Sequence, residues 1–276
     1  MINILFCGNH KVFDGILTCT LSLLKRTQTD NPFTFFVFTM DVSHLNKDYT
    51  CITDKQISFL EKIIKTYNKK NTIIKLDITN LYEKELKNSK NENTSYSPYC
   101  MLRLFADIPE VIPDKILYLD TDTLANKDIS SLYEINIDDY EYAVARDHYG
   151  KILVYPNFMN SGVMLMNIKK IRQTGLLQKA RKTAYEKKYL FPDQTAIKKS
   201  TTKRKMLSQR FNDQKFLYKN TVIRHFSKRL FWTPYPHTEN IKQWHWAKMM
   251  AKFKYTCFQD ILEDYIYYKR KFELGE

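Results

Sequence analysis

The sequence predicts an α/β protein in which a sheet flanked by helices is followed by a C-terminal helical extension. Strand-like and helix-like segments alternate through the first half of the chain, which is the pattern of βαβ units. The chain has 276 residues, and 43% of them are hydrophobic, which is enough for one well-packed domain with an appendage. Beyond Asn240, apolar residues recur at helical spacing, as in a helix that packs one face on a core.

The first half contains the segments that we expect to form the sheet. Short apolar runs bounded by polar or turn-forming residues predict strands. They are Ile2–Cys7, Phe33–Thr39 and residues 72–76, 115–120, 142–145 and 162–166. Apolar residues at helical spacing predict helices between these strands. One contains Leu17, Leu21 and Leu24, one contains residues 57–64, and one begins at Pro98 and is stopped by Pro109.

The second half is expected to be largely helical. After Asn167 the chain becomes basic and helix-like, and a last strand at residues 222–224 leads into His225. A stripe at positions i, i+3, i+4, i+7 and i+8 then predicts an amphipathic helix. The stripe consists of Phe258, Ile261, Leu262, Tyr265 and Ile266. We therefore predict a main domain over residues 1–235 and a helical, aromatic extension over residues 236–276 that packs on it.

The cysteines and the N-terminus predict a cytoplasmic protein. The five cysteines are scattered and form no CxxC pair, so buried thiols are expected rather than disulfides or a zinc site. No run approaches the ~20 apolar residues that a membrane-spanning helix requires. The residues from Met1 to Cys7 lead directly into a strand without the basic segment of a secretory signal.

The positive charge of the chain is concentrated in one region. The formal net charge is +14, and residues 169–229 contain 19 Lys and Arg against three acidic residues. A diphosphate, an acidic acceptor, an anionic membrane surface or a nucleic acid could face such a region. Because no nucleic-acid-binding module is recognisable there, we expect no nucleic-acid partner. Peripheral contact with the inner face of a membrane stays open.

The segment Tyr118-Leu119-Asp120-Thr121-Asp122 is the most informative part of the sequence. Strand residues two apart point to the same side, so the two carboxylates can converge just past the end of the strand. In open α/β sheets, ligands bind at that edge. Two such close negative charges would repel each other without a cation. Carboxylate oxygens suit magnesium or manganese, whereas an added imidazole would favour manganese.

This segment resembles the DxD segment of glycosyltransferase family 8, whose members retain the anomeric configuration of the transferred sugar. Five further matches to the family follow in the same chain order: Arg103, Asp147, Asn160-Ser161-Gly162, Asp193-Gln194 and His225. The resemblance spans roughly residues 1–232. It implies the GT-A fold, a Rossmann-like mixed sheet flanked by helices. Each residue singly has a structural alternative, such as a turn or a helix N-cap, but six matches in order favour the functional interpretation.

The resemblance also implies a role for each residue. Asp120, Asp122 and His225 would hold Mn²⁺ or Mg²⁺. The donor would be a UDP-sugar, bound by Asn9, Arg103, Asp147, Asn160, Ser161, Gly162 and Lys228. Gln194 and Asp193 would be catalytic, with Gln194 near the anomeric carbon and Asp193 on sugar hydroxyls. A neutral amide is a poor nucleophile, so Gln194 is expected to stabilise a short-lived oxocarbenium ion.

The sequence departs from the family pattern in two places. Gly8-Asn9-His10-Lys11 replaces an acidic segment that contacts the uracil ring, although Asn9 retains an amide that can bond a base edge. The closing motif of the family, HYxGxxKPW, corresponds to the segment from His225 to Trp232, with Lys228 at the glycine position and Phe231 at the lysine position. Lys228 or Arg229 is therefore the expected cation for the diphosphate.

These observations predict a metal-dependent, retaining hexosyltransferase that moves glucose or galactose to a glycan or glycolipid acceptor. A protein that binds sugar nucleotides or glycans without catalysis is the alternative, because the closing motif is altered. A nucleic-acid-binding protein, based on the basic region alone, ranks third.

Overall fold

The computed structural model describes residues 1–94 and 96–276. The strands in this part of the chain are β1 (Ile2–Cys7), β2 (Phe33–Thr39), β3 (Thr72–Asp77), β4 (Lys115–Leu119), β5 (Thr123–Ala125), β6 (Tyr142–Arg146), β7 (Met159–Asn167), β8 (Arg204–Leu207), β9 (Ile223–His225), β10 (Arg229–Phe231) and β11 (His237–Glu239). The α-helices are α1 (Phe13–Arg26), α2 (Asp54–Tyr67), α3 (Thr79–Glu85), α4 (Ser130–Tyr133), α5 (Gly150–Leu153), α6 (Ile168–Thr174), α7 (Leu176–Glu186), α8 (Pro192–Ser200), α9 (Trp246–Phe253) and α10 (Gln259–Leu274).

Seven strands form one mixed sheet in the order β3-β2-β1-β4-β7-β6-β8. Strand β1 runs parallel to β2 and β4, whereas β7 runs antiparallel to β4 and β6. Two short pairs, β5-β9 and β10-β11, lie outside this sheet. The carboxyl ends of β1 and β4 therefore meet at one edge, where the turn after β4 carries the two aspartates.

Helices cover both faces of the sheet. In β1, Ile4 and Phe6 belong to a core cluster with α1, α2 and α10, whereas Leu5 belongs to a second cluster with α6, α7 and α8. This division follows from the alternation of side chains along a strand. Because both faces are buried, the central strands are mostly apolar rather than alternating in polarity, as in β2, where every residue is buried.

The structure confirms the predicted mixed sheet flanked by helices with a C-terminal helix, and it corrects individual elements. The helix at Pro98 is a 3₁₀-helix that ends at Phe105, four residues before Pro109. Strand β8 interrupts the region predicted to be helical and basic. It was not predicted because its sequence, Arg-Lys-Met-Leu, carries charges that are typical of an exposed helix. It lies at the edge of the sheet, where its residues are only partly buried.

The C-terminal helix α10 packs on α1 and α2. Four of the five stripe residues are buried, but Ile266 is 50% exposed, so it lies off the buried face. Asp260 accepts two hydrogen bonds from Arg26, at 2.8 and 2.6 Å. The ring of Phe272 lies 4.6 Å from that of Phe13. The domain boundary at residue 235 stays a prediction. None of the described helices is long and apolar enough to cross a membrane.

Candidate functional site

The turn between β4 and β5 brings two carboxylates and an imidazole together. Asp120 and Asp122 lie in this turn, and β9 places His225 opposite Thr123 of β5. The His225 Nε2 atom is 3.1 Å from Asp122 Oδ1 and 3.6 Å from Asp120 Oδ2. One ligand atom from each of the three residues lies within 4.8 Å of the other two. The predicted convergence of the DxD carboxylates with His225 is therefore present in the structure.

The orientation of the His225 ring favours metal binding through Nε2. Its Nδ1 lies 3.0 Å from the Asn212 amide oxygen, and the Asn212 amide nitrogen donates to the Asn160 side-chain oxygen at 2.9 Å. Because the Asn212 oxygen can only accept, it holds the proton on Nδ1 and leaves the Nε2 lone pair free. Such outer partners fix the tautomer of metal-binding histidines.

Gly162 allows the two carboxylates and the imidazole to come this close. A Cβ atom at this position would overlap the His225 ring and lie 2.6 Å from Asp120 Oδ2. The carbonyl oxygen of Gly162 accepts a hydrogen bond from the Asp120 N–H at 2.7 Å. Strand β7 thus passes directly behind the cluster, and a side chain at this position would displace the groups in front of it.

Arg103 is a buried cation that connects two of the predicted site carboxylates. Its guanidinium donates to Asp120 Oδ1 at 2.8 Å and to the Ser161 carbonyl at 2.7 Å. It also lies 3.3 Å from Asp193 Oδ2. The side chain is only 5% exposed. Since a buried charge requires partners, Arg103 and these two carboxylates hold one another in place.

Asp193 and Gln194 face Ser161 rather than the end of their own helix. The Ser161 hydroxyl donates to Asp193 Oδ2 at 2.9 Å, and the Ser161 N–H donates to Gln194 Oε1 at 3.1 Å. The N-cap of α8 is Phe191, without a side-chain cap. The alternative that Asp193 is an N-cap is therefore wrong. Both side chains lie against β7 beside Arg103.

Asp147 and Asn160 form a second polar pair next to the cluster. The Asn160 amide nitrogen donates to Asp147 Oδ2 at 3.0 Å, and Asp147 Oδ1 accepts from the Gly150 N–H at 2.6 Å. The Asn160 oxygen accepts from the Gly162 N–H at 3.0 Å. Through Asn160 and Asn212, Asp147 is connected by hydrogen bonds to His225.

Lys242 is the cation that contacts the carboxylate pair, and the sequence prediction missed it. Its ammonium group bonds Asp122 Oδ2 and donates to the Phe226 carbonyl at 3.1 Å. Burial opposes ionisation of Asp122, but the Lys242 charge and the adjacent His225 ring outweigh it and hold the pKa of this carboxyl well below its usual value. The neighbouring Gln243 anchors the segment by donating to the Thr121 carbonyl at 2.8 Å.

Lys242 can be recognised in the sequence once the structure is known. The segment Ile241-Lys242-Gln243-Trp244 differs from the Lys-Pro-Trp end of the closing motif by one residue after the lysine. The pair β10-β11 lies between His225 and this segment and separates the two halves of the motif. Asn212 had no such signal, because it is a single asparagine in a loop.

Two predicted donor-binding residues lie apart from these contacts. Lys228 is exposed and has no hydrogen bond or ion pair within residues 1–94 and 96–276. Asn9 lies just beyond the carboxyl end of β1 and is 5% exposed. Its amide nitrogen donates to the Asp48 carbonyl at 3.2 Å, and its oxygen accepts from the Lys11 N–H at 3.2 Å. The Asn9 amide is thus already used to shape the loop after β1.

The donor atoms fit a divalent cation of the magnesium or manganese type. Two carboxylates and one imidazole are hard or borderline ligands, and the hydrogen bond on Nδ1 leaves His225 ready to bind. Asp122 keeps Oδ1 towards His225 while Lys242 bonds the other oxygen. Asp120, Asp122 and His225 could therefore hold such an ion together.

Comparisons with known proteins give family and fold similarities for this chain. The family model described as glycosyl transferase family 8 matches residues 3–230. A Haemophilus influenzae protein named "Putative glycosyltransferase" is 22% identical over 191 residues, which are 65% of this chain and 52% of that protein. The chain thus spans about half the length of this curated relative.

Solved structures share the fold at low sequence identity. The galactosyltransferase LgtC, solved with donor and acceptor sugar analogs, has a TM-score of 0.69 at 16% identity, covering 95% of this chain and 96% of that chain. The glycosyltransferase GlyE of Streptococcus pneumoniae TIGR4 has a TM-score of 0.64 at 17% identity, covering 96% of this chain and 63% of that chain. These similarities confirm the predicted GT-A fold.

Proposed function

The chain belongs to glycosyl transferase family 8, and on that premise we propose that it is a metal-dependent, retaining hexosyltransferase. It moves glucose or galactose from a UDP-sugar to a glycan or glycolipid acceptor. The observation that carries this proposal is the cluster of Asp120, Asp122 and His225, with the cations Arg103 and Lys242 beside it.

The residues of the site divide between the diphosphate and the sugar. Lys242 has three N–H donors, of which two bond Asp122 and the Phe226 carbonyl. The third is available for a phosphate oxygen, so Lys242 takes the role that the sequence assigned to Lys228. Asp147 and Asn160 supply the polar groups for sugar hydroxyls, and Arg103 orients the carboxylates that border the sugar.

Transfer requires stabilisation of a leaving nucleotide diphosphate. Negative charge develops on the phosphate oxygen as its bond to the anomeric carbon breaks. A divalent cation held by the three ligands would stabilise that charge as a Lewis acid. The Lys242 ammonium is fixed before the reaction and adds to this stabilisation at no cost in reorganisation.

Retention of configuration places the acceptor on the face from which the diphosphate leaves. Gln194 accepts from the Ser161 N–H, which directs its amide oxygen into the polar cluster of β7. An amide oxygen beside the anomeric carbon stabilises positive charge on the sugar ring, whereas Asp193 is bound to Ser161 and Arg103. Asp193 therefore positions the sugar pocket, and Gln194 acts nearest to the reacting carbon.

The first experiment measures UDP release from UDP-glucose and UDP-galactose with and without manganese. We expect manganese-dependent release that is lost in Asp122→Ala. Asp114→Ala is the matched control, because Asp114 immediately precedes β4, at the opposite end of the strand, with its side chain 70% exposed. Equal release by the Asp122→Ala variant would contradict the metal model.

The same samples test the alternative of a binding protein without catalysis. Manganese-dependent binding of UDP without release of UDP from either sugar, even with oligosaccharide acceptors added, would favour that alternative. Failure to bind UDP with manganese would contradict both the proposed transferase and a protein that binds sugar nucleotides without catalysis. The placement of Lys242 removes much of the reason for the alternative, since the charge absent from position 231 is supplied from position 242.

A further inference from the structure

Large apolar side chains are exposed at the tip of the loop that follows Asp147. The loop joins β6 to β7 and is closed at its base by a hydrogen bond of 2.8 Å from the Asp147 N–H to the Phe158 carbonyl. At its tip, Ile152 is 74% exposed, Leu153 is 75% exposed and Val154 is 55% exposed. Three consecutive aliphatic residues with this exposure have no role in the core of the protein.

Two neighbouring segments extend this apolar surface. Leu190 is 74% exposed and lies three residues before Asp193, and the adjoining Phe191 ring lies 5.5 Å from that of Phe158 at the base of the loop. On the other side, Trp232 is 64% exposed and Tyr235 is 67% exposed in the connection between β10 and β11.

A direct contact connects the loop to the β10-β11 hairpin. The Tyr149 hydroxyl donates to the Leu230 carbonyl at 3.3 Å. The loop therefore touches both other segments, and each of the three begins or ends near a residue of the site: Asp147, Asp193 or His225. Contiguous exposed apolar surface of this kind marks an interaction site rather than ordinary surface.

Lysines without acidic partners lie among these apolar residues. Lys187 and Lys188 precede Leu190, and Lys228 precedes β10; all three are exposed. None of them forms an ion pair with another residue that the structure describes. The region from residue 169 to residue 229 contains only three acidic residues against 19 basic ones. A partner for this surface is therefore anionic as well as apolar.

We propose that this apolar and basic surface binds an anionic phospholipid bilayer. Aliphatic side chains at a loop tip can enter the boundary between headgroups and acyl chains, where the rings of Trp and Tyr are also favoured. Lysine ammonium groups meet the phosphates of the same lipids. A soluble glycan would use the aromatic rings but not Ile152, Leu153 and Val154. The additional statement, that the membrane also holds the acceptor beside this surface, rests on the proposed function.

The test is flotation of the full-length protein with two kinds of vesicle. We expect binding to vesicles of phosphatidylcholine mixed with phosphatidylglycerol, weaker binding at high salt, and little binding to phosphatidylcholine alone. The triple variant Ile152→Ser, Leu153→Ser, Val154→Ser should bind at least about tenfold more weakly, because three exposed aliphatic side chains are lost. The Lys187→Gln, Lys188→Gln variant should also bind more weakly.

Two exposed apolar residues of α10 provide the matched control. Ile266 is 50% exposed and Leu274 is 64% exposed, and an Ile266→Ser, Leu274→Ser variant should float like the unaltered protein. The affinity of each variant for UDP and manganese, measured without vesicles, shows whether its fold and donor site are intact, independently of vesicle binding.

Three results would overturn the inference. They are absence of vesicle binding, unchanged binding of the triple variant, or a change in oligomeric state of that variant without a change in flotation. A protein that floats as expected but does not bind UDP would instead contradict the proposed function alone.

Discussion

Lys242 and Asp122 form an ion pair across 120 positions of sequence. The pair joins the segment after the β10-β11 hairpin to the turn after β4, and the Phe226 carbonyl accepts from the same ammonium group at 3.1 Å. Ile241 and Gln243, on either side of Lys242, are both buried. The lysine is therefore fixed beside Asp122 by its neighbours rather than by its own flexible side chain.

Replacing Lys242 should weaken donor binding more than replacing Lys228. We expect Lys242→Met to lower the affinity for UDP in the presence of manganese by about tenfold or more, the value of one charge-assisted hydrogen bond. Lys228→Met is the control, since Lys228 is exposed. Calorimetric titration of both variants with UDP measures the difference. The opposite order of effects would return the diphosphate contact to Lys228.

A single methyl group at position 162 should damage the metal site. In Gly162→Ala the new Cβ would overlap the His225 ring and lie 2.6 Å from Asp120 Oδ2, so both ligands must move. Because ligand misplacement typically costs about 10- to 100-fold in affinity, we expect a loss of that size in manganese binding. Calorimetry with manganese measures it, and circular dichroism checks the fold. Unchanged affinity would mean that the three residues do not bind the ion together.

Removing the Arg103 charge should destabilise the whole protein. Arg103→Met leaves Asp120 and Asp193 without their shared, buried cation. Breaking such a buried pair costs about 3–5 kcal/mol. Urea unfolding followed by fluorescence measures the loss. The exposed Arg270 is the matched position, and Arg270→Met should change the free energy of unfolding by less than about 0.5 kcal/mol.

The C-terminal extension should unfold together with the main domain. Leu262 is fully buried in the core cluster that also contains Ile4 and Leu117, so Leu262→Ala should cost about 2–5 kcal/mol. Leu274→Ala, at an exposed position, is the control. Denaturant unfolding should stay a single transition in both variants. A separate early transition in Leu262→Ala would make residues 236–276 an independently folding unit.

The positions of the main strands along the chain could be predicted because both faces of the sheet are covered. Buried strands such as β2 are mostly apolar runs, which are distinct from the polar or turn-forming residues that bound them. Strand β8 could not be found in this way, because an edge strand is half-exposed and its arginine and lysine resemble a helix surface. The position of Ile266 was predicted wrongly, because a stripe of five residues extends beyond the face that α1 and α2 cover.

In the site, the convergence of side chains could be predicted where the residues are close in sequence to a recognisable strand. Asp120 and Asp122 follow β4 directly, and His225 ends β9. Lys242 was missed because the hairpin separates it from His225. A motif of fixed length, counted from His225, places its lysine at Phe231 instead. Asn212 contacts His225 at 3.0 Å only through folding of a loop. Such outer partners depend on three-dimensional placement and leave no local pattern.

The hairpin β10-β11 begins and ends beside groups that are held in place independently of it. His225 is fixed by Asn212, and Lys242 is fixed by Asp122 and by the anchoring of Gln243. Because lengthening a loop between fixed ends costs little free energy, the length and sequence of this hairpin can change while His225 and Lys242 keep their positions. On the proposed function, a shorter or different hairpin would leave the donor site intact and change the surface beside it, so the choice of acceptor could change through this insert alone.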